Sequence, residues 1–231
     1  MRDRCGHKLM TTCLWMLYLC LLLWPMVAVA MPPSMGLEHD SSWEEQKAYS
    51  EFNHHLSGAF LLFMGGLLAV DAADLIRGRW MLLWPIALLL LGAFLVVWSD
   101  SEAWPVGPVG FFDALAEAET LQHKLYAVVL FALGFLEWAR VKGRPLRWGS
   151  HVFFGILLFA GLLMFHHSLL MAHNHQSPKL LPNHLLIGAL TIGAGGVKFA
   201  WERQWMKWRY GGQLWPGSVL LLGVLLVFYS E

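Results

Sequence analysis

Long runs of apolar residues, separated by short polar segments, restrict what this chain can fold into. Six of them follow residue 50, and most approach the roughly 20 residues that cross ~30 Å of hydrocarbon as a helix. They run from Leu56 to Ile76, Trp80 to Trp98, Leu125 to Ala139, Val152 to Met171, Leu185 to Trp201 and Leu214 to Tyr229. Because unpaired backbone groups are costly in lipid, runs with so few charges must be helical. The sequence therefore predicts an all-α fold, a polytopic membrane helix bundle with six transmembrane helices.

The composition agrees with a membrane protein. Of the 231 residues, 57% are hydrophobic and 14% are charged, which leaves too little polar surface for a soluble globule. The net charge is zero, so nothing points to nucleic acid, and the lipid bilayer is the expected partner. The sequence has no nucleophile motif, phosphate loop or dinucleotide fingerprint. These observations favour a binding protein over an enzyme.

The first 30 residues have the three parts of an export signal. A basic start precedes an apolar run from Leu9 to Trp24, and Pro25 then leads to small residues that end at Ala30. This pattern predicts a signal peptide over residues 1–30, cleaved before Met31. The alternative is an uncleaved first transmembrane helix. In both cases the chain after Ala30 begins outside the cytoplasm.

The three cysteines of the chain, Cys5, Cys13 and Cys20, all lie in this leader. A cleaved protein therefore has no thiol, no disulfide and no thiolate metal site. Any metal would have to be bound by His, Met, Asp or Glu side chains.

Basic residues orient the bundle. Ten Lys and Arg side chains lie in loops predicted to face the cytoplasm and three lie in outer loops, as the positive-inside rule requires. The inner ones are Arg77, Arg79, Arg140, Lys142, Arg144, Arg147, Lys198, Arg203, Lys207 and Arg209, and the outer ones are Lys47, Lys124 and Lys179. We therefore expect a multi-pass protein of the bacterial inner membrane, with a periplasmic segment over 31–53, a six-helix transmembrane domain over 54–231 and a periplasmic loop over 99–122.

Histidines are concentrated at the predicted outer side of this bundle. Of the ten outside the leader, only His151 falls on the inner side. The other nine are His39, His54, His55, His123, His166, His167, His173, His175 and His184. Four helices bring imidazole to within ~10 Å of one outer plane, at about 1.5 Å of rise per residue. Since ionisable side chains in a membrane are costly and usually functional, this layer is the candidate site.

These histidines have the chemistry of a metal site. Neutral imidazole is a common metal ligand, and a thioether beside it favours copper(I). If the fourth helix continues outward, His167, Met171 and His175 share one of its faces, while His166 and His173 share the next. The predicted metal ligands are His54, His55, His123, His166, His167, Met171, His173, His175 and His184. We expect copper, handled for uptake, transfer or tolerance, with a periplasmic metal carrier as a partner.

Three other functions fit the same histidines. A b-type cytochrome would clamp one haem b between two imidazoles near the outer face and exchange electrons with a periplasmic protein. Its candidate ligands are His54, His123, His166 and His184. The second alternative is a membrane oxidase or hydroxylase in which the histidines hold two metal ions. The third is a membrane assembly factor in which the histidines are incidental.

In general architecture the chain resembles the copper-resistance D group of bacterial membrane proteins. The resemblance covers Leu56 to Tyr229 and rests on outer histidines that are set on a multi-helix apolar bundle. These are His54, His55, His123, His166, His167 and His184. The resemblance implies copper uptake or tolerance.

Other polar and small residues are expected to stabilise the bundle. Acidic side chains near the inner helix ends predict local ion pairs with neighbouring arginines. The acids are Asp71, Asp74, Glu137 and Glu202, and the arginines are Arg77, Arg140 and Arg203. Glycines predict close approach between helices, and they are Gly65, Gly66, Gly188, Gly193, Gly195 and Gly196.

Overall fold

The computed structural model of this protein describes residues 43–75, 78–144, 146–174, 179–208 and 210–230. Of residues 43–44 and 167–174 it describes the backbone alone. The predicted signal peptide over residues 1–30 lies outside these ranges.

Helices make up most of the described chain, which confirms the all-α prediction. Helix α1 covers Trp43–Ala72, and a 3₁₀ helix over Gly78–Leu82 leads into α2, Leu83–Trp98. The short α3, Phe111–Ala114, precedes α4, Ala118–Val141. Then follow α5, Gly149–Asn174, α6, Leu180–Glu202, and α7, Gly211–Val227. Each of the six predicted apolar runs coincides largely with one long helix, although α1 begins well before its run and the run from Trp80 begins in the 3₁₀ helix.

Four helical segments are long and apolar enough to cross a membrane. They are Glu45–Ala72, Gly78–Trp98, Gly149–His166 and Leu180–Glu202. Helix α7 is apolar but shorter, at 17 residues, and α4 carries charged side chains such as Lys124 and Glu137. In length and composition the described residues are therefore those of a membrane protein, with four helices that meet both criteria for a span.

The six long helices form a closed ring. Each packs against the next one along the chain, from α1 through α2, α4, α5 and α6 to α7, and α7 packs back against α1. Sequential helices run in opposite directions, so the start of α1 meets the end of α2 and the end of α7. The inward faces of all six helices line a central cavity.

Three pairs of neighbours pack most closely: α1 with α7, α2 with α4, and α5 with α6. Glycine permits this approach, since a Cβ on Gly58 of α1 would lie 2.6 Å from the backbone nitrogen of Val227 in α7. Likewise, a Cβ on Gly161 of α5 would lie 2.7 Å from the carbonyl oxygen of Gly188 in α6. The prediction of close approach is confirmed for Gly65, Gly188 and Gly195; Gly196 makes ordinary contact, and for Gly66 and Gly193, which face open space, it is wrong.

The two ends of the ring carry different side chains. The starts of α1, α4 and α6 meet the ends of α2, α5 and α7 at one end, which we call the histidine end because His54, His123 and His184 lie there. We call the opposite end the ion-pair end, after Glu137 and Lys198. This division places most of the predicted site residues at one end of the cavity.

Buried charges cross the ring at the ion-pair end. The carboxylate of Glu137 in α4 accepts from Arg140 of the same helix and, across the ring, from Lys198 Nζ in α6 at 3.2 Å. Lys198 also pairs with Glu202, and its Nζ lies 4.5 Å from the ring centroid of Phe153 in α5. The predicted local pair of Glu137 with Arg140 is confirmed, whereas the pair across the ring was not predicted.

Candidate functional site

A cavity of about 440 Å³ lies in the middle of the ring. In helix α1, for example, the cavity is lined by His54, Leu61 and Leu68, which follow one another at intervals of two helical turns. The part at the histidine end, which we call the mouth, is polar and includes Lys47, Asp100, Glu102, Glu117 and Glu119. The part toward the ion-pair end, which we call the floor, is aromatic and consists of Trp84, Phe153 and Trp215.

Two imidazoles and a phenol meet near the mouth. The rings of His54 in α1 and His184 in α6 have centroids 5.7 Å apart. Tyr229, just after α7, stacks on His54 at 3.9 Å, and its hydroxyl lies 3.5 Å from Nε2 of His184. His184 is 2% exposed, so the group is shielded from bulk solvent. The structure thus brings two of the predicted ligands together.

The backbone fixes the proton on one of these imidazoles. Nδ1 of His54 lies 2.8 Å from the carbonyl oxygen of Ser50, one turn earlier in α1. Since a carbonyl oxygen can only accept, Nδ1 carries the proton and Nε2 has a lone pair. A histidine that is held by a carbonyl through one nitrogen is oriented to bind a metal through the other.

Asp100 holds His123 in a similar way. Nδ1 of His123 donates to Oδ1 of Asp100 at 2.7 Å, while Oδ2 accepts from Nζ of Lys124 at 2.8 Å and from the hydroxyl of Ser99. Burial by itself raises the pKa of Asp100, but the hydrogen bond and charge of His123 and the hydrogen bonds of Lys124 and Ser99 outweigh it and lower the pKa to about 2. Asp100 is therefore an ionised carboxylate at neutral pH. A carboxylate in this position orients the ring of many metal-binding histidines.

The start of α1 is tied to the end of α2 beside this network. The hydroxyl of Tyr49 donates to the carbonyl oxygen of Trp98 at 2.5 Å, and Nδ2 of Asn53 donates to that of Ser99 at 3.2 Å. These bonds explain why α1 extends beyond its apolar run, since its polar first turns are fastened to α2. They also hold His54, the next residue after Asn53, at the mouth.

Two further predicted ligands bond to neighbouring helices and do not line the cavity. Nε2 of His55 donates to the carbonyl oxygen of Tyr229 at 2.8 Å. The side-chain amide of Gln122 in α4 donates to Nδ1 of His166 in α5 at 2.8 Å. Both histidines thus connect adjacent helices of the ring. The side chains of His167, Met171, His173 and His175 lie outside the described residues.

The site differs from the prediction in its members. In the part of the chain that the structure describes, no three or more His, Cys, Asp or Glu side chains are grouped closely enough to hold a metal ion. Sequence reasoning missed Tyr229, which reaches His54 only because α7 closes the ring. It also missed Asp100 as the partner of His123, although an acidic residue directly after an apolar run was a usable signal.

The spacing of His54 and His184 decides what the pair can hold. An ion bound to both imidazole nitrogens at about 2 Å would separate the ring centroids by roughly 5 to 6 Å. The observed separation is 5.7 Å. This separation is compatible with one ion bound between the two rings.

Comparison with known proteins assigns this chain to no family. No family model, no curated protein and no solved structure matches it. The resemblance to the copper-resistance D group therefore stays a prediction from the sequence.

Proposed function

We propose that this chain is a six-span protein of the bacterial inner membrane that binds copper at its histidine end and handles it for uptake, transfer or tolerance. The pairing of His54 with His184, with ring centroids 5.7 Å apart, is the observation that carries the proposal. Imidazole binds copper in both of its common oxidation states without a thiol. This agrees with a chain whose cysteines lie within its first 20 residues. A periplasmic metal carrier would deliver or receive the ion.

Helices α4 and α7 are compatible with six spans. The charges of α4 are neutralised inside the ring, since Lys124 lies on Asp100 with 10% of its side chain exposed, and Glu137 lies on Lys198 with 2% exposed. Helix α7 has 17 residues, which cover about 25 Å at about 1.5 Å per residue. The distribution of basic residues, ten against three, supports a histidine end that faces the periplasm.

Carboxylates at the mouth support a cation as the ligand. Glu102, Glu117 and Glu119 line the cavity there with Asp100. Burial raises the pKa of Glu117, and the nearby charges of Glu119 and Asp100 raise it further. Carboxylates at the mouth outnumber Lys47, the basic residue that lines it there, and such a surface attracts cations.

Metal loading of the purified protein tests the proposal. The protein is incubated with copper(I) or copper(II), dialysed, and analysed for bound metal by mass spectrometry. We expect stoichiometric copper in the wild type and its loss in the double variant His54→Ala, His184→Ala. His151→Ala, at the ion-pair end, is the matched control and should retain the copper, because its ring lies between Trp148 and Phe199.

The visible spectrum of the same preparation separates the alternatives. A sharp Soret band that shifts on reduction would replace copper with the b-type cytochrome. Protein without metal or haem, after growth in cells replete with both, would contradict the proposal and favour an assembly role with incidental histidines.

A further inference from the structure

The cavity continues far below the histidines. From His54 to Leu68, both of which line it, α1 rises by about 20 Å. The walls of this deeper part are largely hydrocarbon, with Leu88, Leu133 and Val219 among them. Hydrocarbon walls cannot replace the hydration of an ion, so copper at the mouth leaves this space without a role.

A hydrogen-bond donor lies beside the deep cavity without a partner. Trp84 of α2 lines the cavity and is 2% exposed, and its indole Nε1–H bonds to none of the described residues. Buried indole N–H groups usually find an acceptor, because an unsatisfied donor in a low-dielectric interior is costly. Because Trp84 lines the cavity, a molecule there whose acceptor atom reached Nε1 would satisfy this donor.

Aromatic rings form the floor beneath that space. Phe153 of α5 and Trp215 of α7 meet edge to face, with centroids 5.5 Å apart. Nζ of Lys198 lies 4.5 Å and 5.8 Å from their ring centroids, and its charge is balanced by Glu137 and Glu202. Both rings line the cavity, and aromatic rings favour a second flat ring in offset or edge contact.

We propose that the deep cavity binds a lipid-soluble molecule with a flat, carbonyl-bearing ring and an apolar tail, the chemical class of the alkyl quinones. The carbonyl oxygen accepts the N–H of Trp84, the ring packs against Phe153 and Trp215, and the tail lies along the leucine walls. The whole cavity, including the mouth, has a volume of about 440 Å³, which lies within the range of small-molecule sites, ~300–1,000 Å³.

This site lies about three helical turns below His54. It is therefore separate from the proposed copper site. Met64, ten residues after His54 in α1, already lies among the apolar walls. The two ligands would occupy different levels of one cavity, so each is tested without the other.

Binding of decylubiquinone tests the inference, with decylbenzene as a probe that has the same tail but no carbonyl. Both are titrated into the purified chain in detergent by calorimetry, without added metal. We expect decylubiquinone to bind the wild type, and Trp84→Phe, which keeps a ring and removes the N–H, to weaken binding about tenfold. Decylbenzene should bind the wild type and Trp84→Phe equally well.

Trp148→Phe is the matched control for the lost donor. Trp148 also has a buried Nε1–H without a partner among the described residues, but it does not line the cavity. Its replacement should leave the affinity for decylubiquinone unchanged. The inference is overturned if decylubiquinone does not bind the wild type, or if Trp84→Phe and Trp148→Phe weaken it equally.

A second variant tests the cavity itself. Ala194 of α6 lines the cavity and is 2% exposed, so Ala194→Leu adds volume to the wall. It should weaken both probes while a thermal unfolding scan verifies that the variant is folded. Unchanged binding in a folded Ala194→Leu protein would place the probes elsewhere and refute the inference. Failure of the wild type to bind copper, with decylubiquinone binding intact, would count against the copper site alone.

Discussion

The two ends of the ring use polar side chains in opposite ways. At the ion-pair end, two carboxylates and two cations neutralise one another, and they are Glu137, Glu202, Arg140 and Lys198. At the histidine end, Asp100 pairs with Lys124, while His54 and His184 present imidazoles next to an acidic mouth. The first arrangement closes the ring, because every charge finds its partner within the protein. The second places two imidazoles and a phenol below an acidic mouth, and the proposed function lies there.

The largest effect is expected from breaking the pair that crosses the ring. Glu137→Gln removes a carboxylate that is 2% exposed, and it should lower the free energy of unfolding by about 4 kcal/mol, since it leaves Lys198 without its partner across the ring. Unfolding in mixed detergent with SDS measures this value. Copper binding at the other end should be unchanged.

The double variant Glu137→Gln, Lys198→Met gives the control. Replacing both partners removes the uncompensated charge, so its cost should fall below the sum of the two single variants. A cost equal to that sum would mean that the two side chains act independently, and the ion-pair end would then not differ from the histidine end in the way described.

A smaller loss is expected at the histidine end from Asp100→Asn. This change keeps the shape of the side chain but removes the charge that pairs with Lys124, and it should cost about 2.5 kcal/mol, less than the deeper pair, because the mouth is nearer to water. Asp113→Asn, in the short exposed helix α3, is the control and should stay within about 0.5 kcal/mol of the wild type.

The pH dependence of this variant follows from the pKa of Asp100. Folding lowers that pKa to about 2, from roughly 4 in an unfolded chain. The stabilisation is therefore present above about pH 4 and is lost as the pH falls toward 2. The difference in unfolding free energy between wild type and Asp100→Asn should shrink over this interval. A difference that stays constant would show that the charge of Asp100 is not its source.

The smallest effects should come from the glycines at contacts between neighbouring helices, a feature that both ends of the ring share. A Cβ at Gly58 would lie 2.6 Å from a backbone atom of α7, and one at Gly195 would lie 2.9 Å from the Cβ of Leu157. Either glycine to alanine change should cost about 1.5 kcal/mol through overpacking. The controls Gly66→Ala and Gly193→Ala, on the same helices, meet nothing within 4 Å and should be neutral or stabilising by up to about 1 kcal/mol.

Hydropathy predicted the helices because the backbone polar groups of every segment that enters lipid must be hydrogen-bonded within the protein. An apolar run without internal backbone bonds is too costly there, so each run became a helix. Hydropathy did not predict the start of α1, which lies before the apolar run. Tyr49 and Asn53 extend that helix through bonds to α2, and these partners lie almost fifty positions away in sequence, beyond any local pattern.

The sequence predicted the level of the candidate site along the helices, but not which of its side chains are in contact. Counting residues along each helix placed His54, His123 and His184 at one level. Which of them meet depends on how each helix is turned about its axis and on the order of helices in the ring, and sequence spacing gives neither. Lys124 illustrates the limit: it was assigned to an outer loop, but it lies nearly buried on Asp100.

The closure of the ring by α7 has a consequence for how the protein is made. The backbone oxygen of Tyr229 accepts from His55, 174 positions earlier in the chain, and its ring covers His54. During synthesis this flank of α1 stays uncovered until α7 has been made and has packed against it. Pairings between distant segments form late because the intervening chain must be ordered first. Under the proposed function, an ion held beside Tyr229 would therefore be bound only after α7 has packed against α1.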